Sequence, residues 1–281
     1  MLDRIPQNSC FEVFVLRITA DKKEFFMIDM HVHLEYADYT FDWIDKFVER
    51  AVAMNIDTLC LVEHTHQFRD FAPMYRDAVN YSKFQHDWYY KKKLRNLSEY
   101  TEFITTVRKR EYPIKLLFGL EVCYFENMED LIYDRINSYN FDHIIGSVHW
   151  LDGFGFDLNR DQWNGIDVDD AYRKHFEIME KLIESELFET VAHPDSIKLF
   201  GHIPSYDMKP TYNRIAQLMK RHGTSAEQNG GAHLKDNRIE LGMAPDFLKA
   251  VKENHVNIIT CSDAHRPEHV GVNIAELTAT L

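Results

Sequence analysis

The chain's histidines and carboxylates fall at spacings that suit metal ions. His31 and His33 form an H-x-H pair in Asp29-Met-His31-Val-His33, and Asp263 and His265 repeat that spacing near the other end. Residues i and i+2 of a strand face one side, so each pair can hold one ion. Glu63-His64, Phe-Gly-Leu-Glu121, Val-His149-Trp150 and Ala-His193-Pro-Asp195 each close a short apolar run, as does the histidine-free Glu227-Gln-Asn229. Gathered together, so many imidazoles and carboxylates would repel or desolvate one another unless a cation held them. The ligands outnumber the needs of one ion. Two ions about 3.5–4 Å apart are expected, with Glu121 the natural bridge. Each piece also has a plainer reading. H-x-H pairs arise by chance, His149 could be a core histidine, His193-Pro a turn, and Glu63 a simple hydrogen-bond acceptor. His66, His202, His233, His255 and His269 read as surface or loop residues. The joint placement at six strand ends is what favours metal.

Positioning these residues requires elements that converge. Apolar, β-rich runs occur at 28–32, 58–62, 114–120, 143–148, 187–192, 223–227 and 256–261. Between them lie segments of helical spacing at 43–54, 97–110, 168–186, 208–221 and 244–254. Strand–helix alternation indicates a parallel sheet with crossover helices. Seven such units predict an α/β fold closed as a distorted (β/α)7 TIM-like barrel, with the metal centre at the C-terminal strand ends. Residues 68–93 are aromatic and poorly periodic, and read as an insertion or lid. Residues 1–26 form an N-terminal extension of open status, either a translated leader before Met27 or an added strand, and the barrel domain is expected over 27–281.

Composition narrows the partners. With 45% hydrophobic and 27% charged residues in 281, the chain can bury a barrel-sized core. No run of about 18 apolar residues exists, so no membrane span is expected. A net charge of −13 disfavours nucleic acid. The basic run Lys91–Lys93 with Arg95 reads as an exposed helix surface. Four scattered cysteines suit buried thiols in a reducing cytoplasm.

Taken in order, Asp29-x-His31-x-His33, Glu63-His64, Gly119-Leu-Glu121, Ser147-Val-His149, His193-Pro-Asp195 and Ser262-Asp263-Ala-His265 resemble the polymerase-and-histidinol-phosphatase (PHP) family, from about Met27 to Val272. The resemblance implies a seven-stranded barrel with three divalent ions. His31, His33, Glu121 and Asp263 would hold the first, and Glu121, His149 and His193 the second. His64, His265 and an acidic residue would hold the third. Tyr39 stands where family members often have histidine or aspartate, which leaves Glu35 or Asp38 as the substitute; Glu35 has the longer reach. The short chain is most similar to the histidinol-phosphatase branch. The expectation is a metal-dependent phosphatase of a small monoester such as L-histidinol phosphate, using two or three Mn, Fe or Zn ions, with Glu121, Asp263 and His265 as catalytic residues. Arg160, Lys198 and Arg266 are the candidate phosphate clamps, and Asp195 and Asn229 could orient ligands or meet a substrate amine. A phosphodiesterase or exonuclease, an amidohydrolase and a non-catalytic metal-binding barrel remain as rivals.

Overall fold

The computed structural model describes residues 27–236 and 238–281; expectations about residues 1–26 lie outside the described residues. Strands β1 (Met27–Val32), β2 (Ile56–His64), β3 (Lys115–Cys123) and β4 (His143–Ser147) are followed by a small antiparallel hairpin, β5 (Trp150–Leu151) and β6 (Phe154–Gly155). Then come β7 (Thr190–Val191), β8 (Ser225–Asn229) and β9 (Ile258–Cys261). Seven of these form one all-parallel sheet in the order β1-β2-β3-β4-β7-β8-β9. A parallel bridge between Val32 and Ala264, with the His33 amide donating to the Ala264 carbonyl at 2.8 Å, brings the two edges together. The sheet is thus a nearly closed barrel, as the strand–helix alternation implies.

The larger helices end where their chemistry dictates. Helix α1 (Phe41–Ala53) starts at Thr40, whose hydroxyl accepts from the Trp43 amide. After the insertion helices α2 (Arg76–Tyr81) and α3 (Lys83–Tyr90), α4 (Leu97–Val107) opens with a capping box between Asn96 and Glu99. Helices α5 (Glu129–Ile136) and α6 (Val168–Glu184) follow, then α7 (Lys209–His222), which stops at Gly223 with φ 72°. The short α8 (Gly231–Lys235) precedes α9 (Pro245–Glu253) and α10 (Ile274–Thr278). No helix among the described residues is long and apolar enough to cross a membrane.

Two apolar layers hold the barrel. Phe47, Tyr100, Phe118, Phe176 and Phe247 belong to the larger cluster, which packs the helices on the sheet. Met30, Cys60, Val62, Ile145, Ala192 and Ile259 form a smaller one. Residues from strands that are not neighbours can meet only across the barrel axis, so this cluster fills the lumen beneath the histidines. Gly119 lets β3 and β4 approach: a Cβ there would lie 1.7 Å from the His143 carbonyl oxygen.

The stretch 68–93 is well packed, contrary to its lack of period. It folds as a 3₁₀ segment (Arg69–Tyr75) followed by α2 and α3, and buries Phe71, Met74, Tyr75 and Tyr89. Gln85 fastens it to the hairpin, donating to the Ala78 and Gly153 carbonyls (2.5 and 2.7 Å) and accepting from the Gly155 amide (2.9 Å). Phe68, Phe71, Tyr75 and Tyr89 are therefore core residues of a wall, while Tyr81, Phe84 and Tyr90 stay exposed. The same wall corrects the reading of the basic run. Lys91 and Lys93 are exposed, but Arg95 is buried, donating to the Ala37 carbonyl at 2.7 Å and stacking 4.3 Å from the Tyr39 ring.

Candidate metal centre

The strand ends bring their chemistry to one floor. His31 and His33 leave β1 with their Nε2 atoms 2.8 Å apart. Glu121, on β3, stands between two groups of imidazoles. Its Oε2 lies 3.4 Å from His31 Nε2, 3.6 Å from His33 Nε2 and 2.5 Å from His64 Nδ1. Its Oε1 faces His193 Nε2 at 3.0 Å and His149 Nε2 at 3.4 Å. Asp263 Oδ1 is 3.4 Å from His33 Nε2 and 3.7 Å from His31 Nε2. His64 Nε2 and His265 Nε2 are 3.3 Å apart, and His265 Nε2 is 3.5 Å from Glu35 Oε1. Among the described residues four groups have donor atoms within 4.8 Å of one another: His31, His33 and Asp263; Glu121, His149 and His193; His33, His64 and His265; and His31, Glu227 and Cys261, in which Glu227 is the hydrogen-bond partner of His31 Nδ1.

Polar atoms beside the floor decide which ring nitrogens are free. Glu227 accepts from His31 Nδ1–H at 2.9 Å, from the His193 amide at 2.9 Å and from Asn229 Nδ2 at 2.9 Å. With Nδ1–H given to Glu227, Nε2 is the His31 nitrogen left for an ion, which would displace the proton that Glu227, Asp263 and Glu121 otherwise favour against desolvation. His265 likewise leaves Nε2 for an ion by donating Nδ1–H to the Asp263 carbonyl at 2.9 Å. His149 Nδ1 rests against Cys123 Sγ (3.1 Å) and Ser147 Oγ (3.3 Å). Asp29 is not a floor residue: it accepts from the Ser262 amide (2.9 Å), the Ser262 hydroxyl (2.5 Å) and the Gly271 amide (3.0 Å), tying β1 to the chain beyond β9. Glu63 likewise accepts from the Leu34 amide (2.5 Å) and Tyr39 hydroxyl (3.2 Å). The backbone is strained at two floor positions, His193 (φ 27°) and Asp263 (φ 56°), a conformation that non-glycine residues hold only when their surroundings impose it.

This arrangement fits divalent cations. Facing Nε2 lone pairs cannot satisfy one another, and buried Glu121 Oε2 has no hydrogen-bond partner. Burial pushes the carboxyls away from the floor upward, Asp29 to about 6 and Glu63 to about 7. Burial acts on Glu121 and Asp263 too, yet the imidazoles around them hold both well below the ordinary carboxylate range. Burial pushes His149 down to about 4 and His33 well below its usual value, keeping both rings neutral as ligands must be. A mixed N/O set of this kind suits zinc, manganese or iron.

Above the floor opens a cavity of about 440 Å³. Its wall includes Trp88 and Lys92 from the insertion, Trp150 and Asp157 from and after the hairpin, and Lys235 from α8. The expected clamps are distributed unevenly around it. Arg160 lines the cavity, held by the Phe200 carbonyl (2.5 Å) and Asp236 (3.1 Å). Asn229 lines it too, fixed by Glu227 and the Gly231 amide (2.7 Å). Lys198 does not line it: its ammonium is bound to Asp195 (2.8 Å), the Gly242 carbonyl (2.6 Å) and Glu240 (3.2 Å). Arg266 is exposed and lies over the Tyr36 ring at 5.3 Å, also outside the lining. Neither side chain therefore lines the cavity in this geometry, Lys198 because neighbouring oxygens consume its donors. Asp195 serves Lys198 and the Ala244 amide (2.6 Å), which uses one of its oxygens for structure.

His66 is also corrected. It is buried in the cavity wall, stacked against His64 (4.7 Å) and near Trp88 (5.1 Å) and Glu35 (4.0 Å). Its i, i+2 relation to His64 was the signal for it. Lys92 (3.6 Å from Glu35 Oε2), Asp157 and Lys235 carried no such signal, since they lie outside any periodic strand.

Fold and floor together define a divalent-metal-binding β/α barrel. The chain belongs to the PHP domain family, which it matches over residues 29–230. It is 27% identical over 255 residues to a protein of Deinococcus radiodurans named a probable histidinol-phosphatase, covering 89% of this chain and 90% of that one. A Schizosaccharomyces pombe protein of the same name is 22% identical over 191 residues, 62% of each chain. The barrel is also similar to the histidinol phosphate phosphatase of Lactococcus lactis, solved with zinc, L-histidinol and phosphate. The TM-score is 0.66 at 19% identity, covering 90% of this chain and 91% of the other.

Proposed function

We propose that this protein is a metal-dependent phosphatase that hydrolyses L-histidinol phosphate to L-histidinol and phosphate, a step in histidine biosynthesis. The observation that carries the reading is Glu121, with one oxygen among His31, His33 and His64 and the other between His149 and His193. Full-length similarity to a relative named for this activity supports the substrate.

In this reading three divalent ions are held, by His31, His33, Glu121 and Asp263; by Glu121, His149 and His193; and by His64, His265 and Glu35. Bound there, such ions lower the pKa of water and neutralise charge on phosphoryl oxygens. The chain's own groups do the rest. Glu227 and the Asp263 carbonyl fix the imidazole tautomers, and Gln67 (3.2 Å) and Lys92 (3.6 Å) hold Glu35 Oε2 so that Oε1 turns to His265. Arg160 would exchange its Phe200 and Asp236 oxygens for a phosphoryl oxygen. Trp88 and Trp150, with centroids 5.7 Å apart, keep water from the side where the leaving alcohol would lie. Buried free thiols at Cys60, Cys123 and Cys261 suit a reducing cytoplasm.

The test is phosphate release by manganese-loaded protein from L-histidinol phosphate, an aryl phosphate and a phosphodiester. A kcat/KM of about 10⁴ M⁻¹s⁻¹ or more for histidinol phosphate, well above both controls, is expected. Faster cleavage of the diester would replace the reading with a phosphodiesterase.

A further inference from the structure

Two opposite charges in the cavity make no hydrogen bond among the described residues. Asp157 lines the wall just after the hairpin. Its Oδ1 is buried without a hydrogen bond, and its Oδ2 lies 3.9 Å from Nε2 of the neutral His149 ring. Lys235, the last residue of α8, reaches the same cavity from the end of β8, and among the described residues it makes no hydrogen bond or ion pair. The other cations lining the cavity are engaged: Arg160 by Asp236 and the Phe200 carbonyl, Lys92 by Glu35 and the Trp88 ring at 4.6 Å. Desolvation works against the Lys235 charge, but Asp157, Asp263, Glu121 and Glu35 around it hold its pKa above the ordinary value.

An unpaired carboxylate beside Trp150 and Leu158 is unfavourable until a cation meets it. An ammonium facing a phosphate-binding floor has the complementary deficit. We propose that Asp157 and Lys235 are a specificity pair that selects a phosphate monoester bearing an ammonium group, Lys235 meeting a phosphoryl oxygen and Asp157 the ammonium. The proposal rests on the phosphatase reading and names the residues that would read the two charges of such a substrate. Discrimination comes chiefly from the ester without an amine, which would leave Asp157 desolvated and unpaired.

The test compares Asp157→Asn, Lys235→Met and Lys235→Arg in the metal-loaded full chain, each checked for metal content and circular dichroism. The substrates are L-histidinol phosphate and its deamino analogue. Asp157→Asn should lower the ratio of their kcat/KM values roughly 10- to 100-fold, through KM for the amine-bearing ester. Lys235→Met should lower kcat/KM for both esters about tenfold while keeping the ratio within about threefold, and Lys235→Arg should restore part of the loss. An Asp157→Asn variant that loses both esters equally, or neither, overturns the proposal, as does an unaffected Lys235→Met. If wild type cleaves neither ester, the phosphatase reading fails by itself. Calorimetric binding of inorganic phosphate and of the two esters then decides the pair: unchanged phosphate affinity in Lys235→Met, or an unchanged amine preference in Asp157→Asn, refutes it.

Discussion

Replacing Glu227 by glutamine changes one atom, and its effect can be worked from the contacts. The carboxylate accepts from His31 Nδ1 through both oxygens, Oε1 at 2.9 Å and Oε2 at 3.1 Å, and from the His193 amide and Asn229 Nδ2 at 2.9 Å each through Oε2. In Glu227→Gln one of those oxygens becomes an NH₂ that faces a donor. In the place of Oε2 it would oppose three donors, one of them a backbone amide that cannot yield. In the place of Oε1 it opposes only the shorter His31 contact, whose ring N–H can relocate. His31 would then carry its proton on Nε2 and lose the lone pair it offers the floor. The loss is one charge-assisted hydrogen bond, about 1.5–3 kcal/mol, which corresponds to roughly 10- to 100-fold in affinity for the ion that His31 ligates. Competition with a chromophoric chelator at pH 7.5 reads that affinity directly. Activity at saturating metal should recover more than affinity does, because the ligand itself remains. If Glu227→Gln binds metal within twofold of wild type and melts at the same temperature, Glu227 does not set the His31 tautomer and the argument is wrong.

Two further changes probe parts of the fold that the floor depends on. Lys198→Met removes a cation bound by Asp195, Glu240 and the Gly242 carbonyl, leaving the buried Asp195 carboxylate without its counter-charge. It should destabilise the protein by about 3 kcal/mol in urea unfolding with KM for phosphate esters unchanged; a tenfold rise in KM at full stability would return Lys198 to the clamp role. His175 is buried between Phe156 and Phe176, donates to the Pro194 carbonyl at 3.1 Å, and is pushed down to about 4 by burial. It folds neutral, whereas the unfolded chain takes up a proton below about 6.5, so its contribution is fully present above that pH and is lost as pH falls toward 4. The stability advantage of wild type over His175→Gln in apo protein should therefore shrink by about 2 kcal/mol from pH 7 to pH 5. A difference that stays flat would show that His175 is not neutral in the fold.

The floor was legible because strand period and barrel closure make position equivalent to direction. Once His31, His64, Glu121, His149, His193 and Asp263 were each assigned to a strand end, convergence followed from topology without knowledge of any contact. Even Tyr39, which departs from the family pattern, has a place the strands explain: its hydroxyl donates to Glu63, while Glu35 carries a carboxylate to His265. The wall obeys no such rule. Lys198 follows a strand-end motif and was a reasonable clamp, yet a few rotatable bonds direct its ammonium to Asp195 and Gly242 and away from the cavity. Lys92 looked like one solvated lysine of three, and the docking of 68–93 on the hairpin, through Gln85, brings it together with Trp88 into the cavity wall. His66 was within reach of the strand argument, but the chain turns into a 3₁₀ segment after His64 and hides the alternation.

This division has a consequence for how such a barrel acquires a substrate. Ions are held by side chains on strand ends, whose geometry the hydrogen-bonded ladder maintains. Shape and charge above them come from the insertion, the β5–β6 hairpin and α8, which are joined by side-chain bonds such as Gln85 to Gly153 and Arg160 to Asp236. Exchanging loop residues can therefore change which ester fits without disturbing a ligand. Two exceptions are Lys92, which holds Glu35, and Gly231, at the start of α8: a Cβ there would lie 2.2 Å from Asp263 Oδ2. At that point the loop that carries Lys235 and the floor that carries Asp263 are in direct contact, so variation of α8 is free only beyond its first residue.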